Sequence, residues 1–419
     1  MAKHRKQPSR LSKCLIVLDI TVIIGGVAML VYLFLVPSLA SKVSNMSAST
    51  PSEAQPTTES IRQSTSEEAN ESTTESTVEK SNHSAAEDRY LTSNQTTVTD
   101  EGEDLDQVLQ DSGFIGSALI VKAGQIILHK GYGYANKEKD VRNQPDTLFN
   151  IGSIQKGMTG VLVMRAAAAG QLALSDTLAK YYPDIPNADN ITLQQMLQMA
   201  SGLKLTENPS DLSTETDVLT WDVAHTAMDQ SQGVFHYSPI NYNLLAGILT
   251  KVTGQSYASL FSDYFIQQQG FSQTQLFTTY LQEKLPTANY KTEGEADPYA
   301  QENTLSYATL ASEIGTGNVY MSVGDLYHYF DCLLHEKLLN KEQLTQLWTP
   351  VSGSTYAAGF YDKGNYIRAH GGKGGFESYG LFSKDNQSSV ILLSNRGRKS
   401  DAQLMDTLYH MVTGVETAF

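Results

Sequence analysis

Asn150-Ile-Gly-Ser-Ile-Gln-Lys-Gly-Met-Thr-Gly-Val-Leu-Val-Met-Arg-Ala-Ala-Ala-Ala-Gly170 reads as a helix with chemistry at its start. Gly152 and Ser153 open it, Val161, Leu162 and the alanine run carry it, and Gly170 supplies a C-terminal stop. Ser153 and Lys156 then share one helix face about a turn apart. A serine hydroxyl is a weak nucleophile until a base takes its proton. A lysine does so only as the neutral amine, which burial and the positive end of a helix dipole both favour. The same helix end favours an oxyanion forming beside Ser153. Serine and lysine are common, so the spacing also arises by chance. It recurs at Ser201 and Lys204, where Gly202 follows the serine and the chain leaves the helical path.

Outward from this stretch, the pattern alternates between sheet and helix. Leu105 to Leu109 predict a short entry helix. Gly116–Lys122 and Gln125–Lys130 predict a hairpin turning at Ala123-Gly124, continued by residues 131–136. Leu172 to Tyr182, Ile191 to Ala200, Asn241 to Thr253 and Tyr257 to Gln269 predict helices, and after Gly315-Thr-Gly-Asn318 the run Ser322-Val-Gly-Asp325 predicts a capped helix through Leu334. Strands return at 357–361, 366–370, 378–382 and 389–394, before a last helix over 401–412. Strands at both ends of a helical middle imply an α+β fold. One antiparallel sheet is built from distant segments, flanked by helices and carrying a helical subdomain.

This domain is expected over residues 104–419, and three segments precede it. Residues 15–36 are apolar except for Asp19 and Thr21, long enough for one transmembrane helix, and residues 1–14 form a basic tail with Lys3, Arg5, Lys6, Arg10 and Lys13. By the positive-inside rule the tail is cytoplasmic and the domain extracellular. A cleaved signal peptide is the competing reading, with Ser38-Leu-Ala40 as a cutting site, but the apolar run exceeds the usual signal-peptide core. Residues 37–103, rich in Ser, Thr, Glu, Gln and Asn, read as a disordered acidic linker that stands the domain off the membrane. The net charge of −15 argues against a nucleic-acid partner. Cys14 and Cys332 form no disulfide framework, and CxxC, HExxH, GxSxG and GxxxxGK[ST] motifs are missing, so no metal or cofactor is expected.

The stretch Phe149-Asn-Ile-Gly-Ser-Ile-Gln-Lys156, with Ile191 to Leu203, Phe235-His-Tyr-Ser-Pro-Ile-Asn-Tyr242 through Gly247, and His370-Gly-Gly372, resembles the serine β-lactamases and penicillin-binding proteins. Within that family it is similar to the class C-like branch, which includes D,D-carboxypeptidases, D-aminopeptidases and esterases. The resemblance covers about Leu105 to Val415. It implies that Ser153 is acylated, that Lys156 activates it, and that Tyr237 relays a proton to the leaving group. It further implies that His370-Gly371-Gly372 lies on an edge strand beside the site, with the amide of Lys373 joining that of Ser153 as the oxyanion hole. Ser238 and Arg368 are added as substrate-binding candidates. Two departures stand out. Tyr237-Ser238-Pro239 replaces Tyr-x-Asn, so a side-chain amide is missing, and His370 replaces a lysine. Both weaken the hold on a substrate carboxylate, while Arg368, two residues before His370 on the same strand face, is a candidate replacement cation.

The implied function is a membrane-anchored extracellular serine hydrolase that forms an acyl-enzyme with D-alanyl groups of the cell envelope. The substrate is either the D-Ala-D-Ala end of peptidoglycan stems or a D-alanyl ester of teichoic acid. The alternative is a non-hydrolytic penicillin-binding-like protein that binds or senses such wall polymers; retention of Ser153, Lys156 and Tyr237 together favours the enzyme.

Overall fold

The hairpin anticipated at residues 116–130 lies near one edge of the main sheet, with one short strand outside it. In the computed structural model, which describes residues 93–291 and 297–419, it comprises β2 (Gly116–Lys122) and β3 (Gln125–Tyr132). The tail 1–14, the apolar segment 15–36 and the expected linker as far as residue 92 lie outside the described residues. Among the described residues no helix is long and apolar enough to cross a membrane. Part of the expected linker is folded: β1 (Thr97–Val98) pairs with β3, because Thr97 and Val98 are β-formers set opposite His129 and Leu128.

Five strands from the far end of the chain complete the sheet: β4 (Tyr356–Ala357), β5 (Phe360–Asp362), β6 (Tyr366–Lys373), β7 (Phe376–Ser383) and β8 (Ser389–Ser394). Their order is β1-β3-β2-β8-β7-β6-β5-β4, and every neighbouring pair is antiparallel. Both faces are covered, which is why the central strands read as nearly continuous apolar runs. In β8, Ile391 and Leu393 face the larger core, while Val390 and Leu392 face a second core. The second core lies under α1 (Glu103–Asp111) and, at the far end of the chain, a helix over Lys399–Thr413.

The larger core surrounds α2 (Gln155–Ala168), whose residues 155 to 164 are all buried. A helix buried through its first ten residues belongs inside, and α3 (Glu215–Ala224), α4 (Ile240–Thr253) and α5 (Val323–Leu334) lie on its side of the sheet, with Lys399–Thr413 as α6 on the other. The α+β architecture with a helical region inserted between the two halves of the sheet is thus present. Of the expected helices, one is absent and one is shortened. Residues 172–182 form turns with one short 3-10 segment, because the Asp176 carboxylate accepts from the Ala173 amide at 2.8 Å and from Tyr181 at 2.7 Å. A side chain that bonds nearby groups in this way competes with the helical ladder. Of Ile191 to Ala200 only Leu193–Leu197 is helical, started by a capping box between Thr192 and Gln195. A small sheet of Phe149–Asn150, Val319–Met321 and Thr274–Leu276 was not anticipated, and it brings two stretches of the site together.

Candidate active site

Asn150 ends a strand and Gln155 begins α2, and both side chains grip the same distant loop. Asn150 Nδ2 donates to the Gly317 carbonyl at 3.1 Å, and its Oδ1 accepts from the Gly152 amide at 2.9 Å. Gln155 Oε1 accepts from the Asn318 and Val319 amides at 2.6 and 3.1 Å, and its Nε2 donates to Asn318 Oδ1 at 2.9 Å. Buried amides satisfied this fully fix residues 317–319 against the start of α2. Between these clamps a 3-10 turn, Gly152–Ile154, carries Ser153 to the mouth of a cleft of about 540 Å³.

Lys156, 1 % exposed, donates from Nζ to Ser153 Oγ at 2.9 Å and to the Thr316 carbonyl at 3.3 Å. Tyr237, just before α4, donates its phenol proton to the same Oγ at 2.8 Å, and its ring stands edge-on to Tyr356. One hydroxyl oxygen therefore meets an amine and a phenol, the arrangement a proton shuttle at an attacking serine requires. The rival pair does not meet: Ser201 is fully buried with Oγ accepting from the Leu203 amide, and Lys204 is paired with Asp229 at 2.6 Å.

Strand β6 runs past Ser153 with an open edge beyond Ala369, since β5 pairs only with residues 367–369. Gly371 makes the close approach. A Cβ there would fall 2.1 Å from the Ile151 carbonyl oxygen and 2.6 Å from the Ser153 nitrogen. Gly152, at φ +49°, is equally constrained, because its Cβ would lie 2.6 Å from the Gly372 nitrogen. Strand alternation decides which amide reaches the site. The Lys363 amide donates to the Tyr366 carbonyl, so Tyr366, Arg368, His370 and Gly372 direct their peptide groups to the β5 edge, whereas Lys373 is paired with Phe376 across the β6–β7 turn. The amide facing Ser153 is therefore that of Gly372 rather than the expected Lys373.

His370, Gly371, Gly372 and Lys373 all line the cleft, and Ser238 and Arg368 do not. Ser238 is buried at the foot of α4. Arg368 lies between two rings, its guanidinium carbon 4.7 Å from the centroid of Tyr361 and 4.5 Å from that of Phe419. His370 Nε2 meets Glu377 Oε2 at 2.8 Å, and the imidazole stacks on Tyr379. Lys373 is paired with Glu313, whose other oxygen accepts from Thr316 Oγ1 at 2.8 Å. Burial pushes the Glu313 carboxyl up, but the charges of Lys373 and Lys156 and the hydrogen bonds from Lys373 and Thr316 outweigh it and hold it below the ordinary value.

Glu313, Thr316, Asn318 and Gln155 escaped the sequence reading. Gln155 lies within the quoted stretch, where a polar residue at the start of a largely apolar helix is a readable signal, and Gly315-Thr-Gly-Asn318 is a glycine-rich turn of the kind that packs closely against another backbone. Glu313 has no local signal. Among the described residues no group of three or more metal-ligating side chains is assembled.

A model of the family described as Beta-lactamase matches residues 103–412. The chain is 31 % identical over 306 residues to a Bacillus subtilis protein named as penicillin-binding protein PbpX, covering 73 % of this chain and 76 % of that protein. It is 29 % identical over 307 residues to the teichoic acid D-alanine hydrolase of Staphylococcus aureus, covering 70 % and 73 % respectively. Among solved structures, FmtA from Staphylococcus aureus superposes with a TM-score of 0.69 at 23 % identity, over 81 % of this chain and 98 % of that one. The D-amino acid amidase of Ochrobactrum anthropi SV3 superposes with a TM-score of 0.63 at 19 % identity, over 75 % and 99 %.

Proposed function

This chain belongs to the beta-lactamase family, and on that premise we propose that it is a serine hydrolase that forms an acyl-enzyme at Ser153 and acts on D-alanyl groups. The observation that carries the reading is the convergence of Lys156 Nζ and Tyr237 Oη on Ser153 Oγ at 2.9 and 2.8 Å. In the proposed reaction Oγ attacks the substrate carbonyl as its proton passes into the Lys156–Tyr237 pair. The amides of Ser153 and Gly372 hold the oxyanion, and Tyr237 passes a proton to the departing oxygen. Water then cleaves the acyl-enzyme by the reverse proton path and releases the acid.

The similarity to a protein named teichoic acid D-alanine hydrolase supports a D-alanyl substrate of the cell envelope. The cleft itself supports an ester over a D-Ala-D-Ala peptide. A carboxylate held by a charge-assisted hydrogen bond gains about 1.5–3 kcal/mol. Here Lys373 is neutralised by Glu313, His370 is paired with Glu377, and Arg368 is stacked away from the lining. An ester without a free carboxylate loses nothing by this. The apolar segment 15–36 and its basic flank support a single-pass anchor with the domain outside the cell, where such polymers lie.

The purified domain is expected to take a fluorophosphonate probe at Ser153 and to cleave a D-alanyl ester with a higher kcat/KM than a D-Ala-D-Ala peptide. Ser153→Ala should abolish both labelling and turnover. Labelling at another residue, or undiminished turnover in Ser153→Ala, defeats the hydrolase reading. Labelling without turnover of either substrate favours the binding or sensing alternative, and a clear preference for the peptide defeats the ester assignment.

A further inference from the structure

Glu377 occupies a place the proposed reaction does not use. It stands opposite Gly372 in the β6–β7 register and lines the cleft with Ser153. Because Gly372 has no side chain, the carboxylate reaches across it: a Cβ on Gly372 would lie 2.8 Å from Glu377 Oε1. The Gly372 nitrogen in turn lies 2.6 Å from the Cβ position of Gly152, the residue before Ser153. Only the breadth of one glycine separates the carboxylate from the backbone beside the nucleophile. Oε2 meets His370 at 2.8 Å, whereas Oε1 accepts no hydrogen bond from the described residues. Three of the nearby cations are committed elsewhere. Lys373 is held by Glu313, Arg368 by two rings, and Arg398 by Asp401 at 2.7 Å and the Ser112 carbonyl at 2.8 Å.

A partly exposed carboxylate with one unused oxygen, next to an oxyanion site and with Lys373, Arg368 and Arg398 turned to other partners, suits a positively charged group close to the scissile carbonyl. In an α-aminoacyl ester the ammonium is two bonds from the carbonyl carbon that Ser153 would attack. We propose that Glu377 is a specificity-determining residue that accepts the free α-ammonium of an aminoacyl ester. The site then selects unblocked aminoacyl esters over N-acylated ones and over substrates bearing a carboxylate there. This rests on the hydrolase reading above and narrows its substrate class.

The test compares D-alanine methyl ester with N-acetyl-D-alanine methyl ester at pH 6.5, where an α-amine of pKa about 8 is protonated. Rates are taken after subtraction of the Ser153→Ala background. The wild-type domain is expected to favour the free amine at least tenfold in kcat/KM, as one charge-assisted hydrogen bond predicts, with the preference fading as the amine deprotonates at higher pH. In Glu377→Gln, which keeps the side chain's size, the preference should fall about tenfold, mainly through KM for the free amine. Fluorophosphonate labelling of Ser153 in the same variant reports that the site is intact. Equal use of the two esters by the wild type overturns the proposal whatever the variant does, as does an equal loss on both in a variant that still labels. Absence of turnover of both esters, with Ser153 unlabelled, removes the hydrolase reading and this inference with it.

Discussion

Ser153 Oγ is where two proton carriers meet, so Lys156 and Tyr237 should act as a unit. Lys156→Ala and Tyr237→Phe are each expected to lower the acylation rate by about 10²–10⁴, the usual range for a positioned acid or base. The double variant should be little worse than the poorer single one, because breaking the relay at one point stops it. Single-turnover rates on one ester check this, and losses that multiply would show that the two groups work independently. The sequence exposed these residues because their spacing is local: Ser153 and Lys156 sit one helical turn apart, and Tyr237 immediately precedes a helix start. Glu313 was illegible for the opposite reason. Its partner Lys373 lies 60 positions away, and nothing beside Glu313 in the chain marks it as a counterion. Lys373 was read for its amide, but it is the side chain that matters in the cleft, a distinction that depends on which way one strand residue faces.

At the scale of elements, the approach of β6 to the start of α2 builds the site, and two neighbouring glycines should differ sharply in what they tolerate. A Cβ on Gly371 meets backbone, the Ile151 carbonyl oxygen at 2.1 Å and the Ser153 nitrogen at 2.6 Å, which yields only if the strand moves. A Cβ on Gly372 meets the Glu377 side chain, which can rotate away. Gly371→Ala is therefore expected to cut Ser153 labelling at least 100-fold and Gly372→Ala much less, both scored by the rate of fluorophosphonate attachment; the reverse order would mean that the strand does not set the geometry. Helix α5 carries a second consequence. Asp325 in its first turn accepts from the Gln273 amide and from Thr274 Oγ1, and burial, only partly offset by those bonds, pushes its carboxyl up to about 6. A raised carboxyl means that the folded state binds more protons than the unfolded one between the two values, so this group's contribution falls as pH rises through that window. Asp325→Asn keeps an acceptor oxygen without the charge. Relative to the wild type it should gain about 1.5 kcal/mol more at pH 8 than at pH 5, since most of the titration lies below pH 6. Urea unfolding at the two pH values measures it, and a pH-independent difference would contradict the assignment. Neither the glycine contrast nor the buried aspartate was readable in advance, because both arise where segments distant in the chain touch.

For the molecule as a whole, the α+β class was legible because strand-like stretches lie at both ends of the domain and helix-like ones between, which leaves one sheet as the simplest closure. Strand order was not legible: β8 pairs with β2 across more than half the domain, and one-dimensional periodicity carries no such information. The proposed arrangement in the cell depends on the part of the chain that precedes the described residues. Twenty-two apolar-rich residues at 15–36 are enough for a helix of about 30 Å, the thickness of a hydrocarbon core, and under the proposed topology the basic residues before them favour a cytoplasmic N-terminus. Ester-linked D-alanine on wall polymers is accessible only to a domain on the outer side, so topology and substrate stand together. The stretch between the apolar segment and Ser93 is rich in Ser, Thr, Glu and Gln, with few residues able to form a core, and it is the place where an added protease should cut first. Broad-specificity protease applied to intact cells is expected to release a soluble fragment that begins between residues 37 and 92, as read by N-terminal sequencing, and that still takes the fluorophosphonate at Ser153. The membrane fraction should keep the basic tail, detectable by an epitope placed before Lys3. A domain fully protected until the cells are lysed would place it inside, and would remove the wall polymer as its substrate even if Ser153 is acylated in the purified protein.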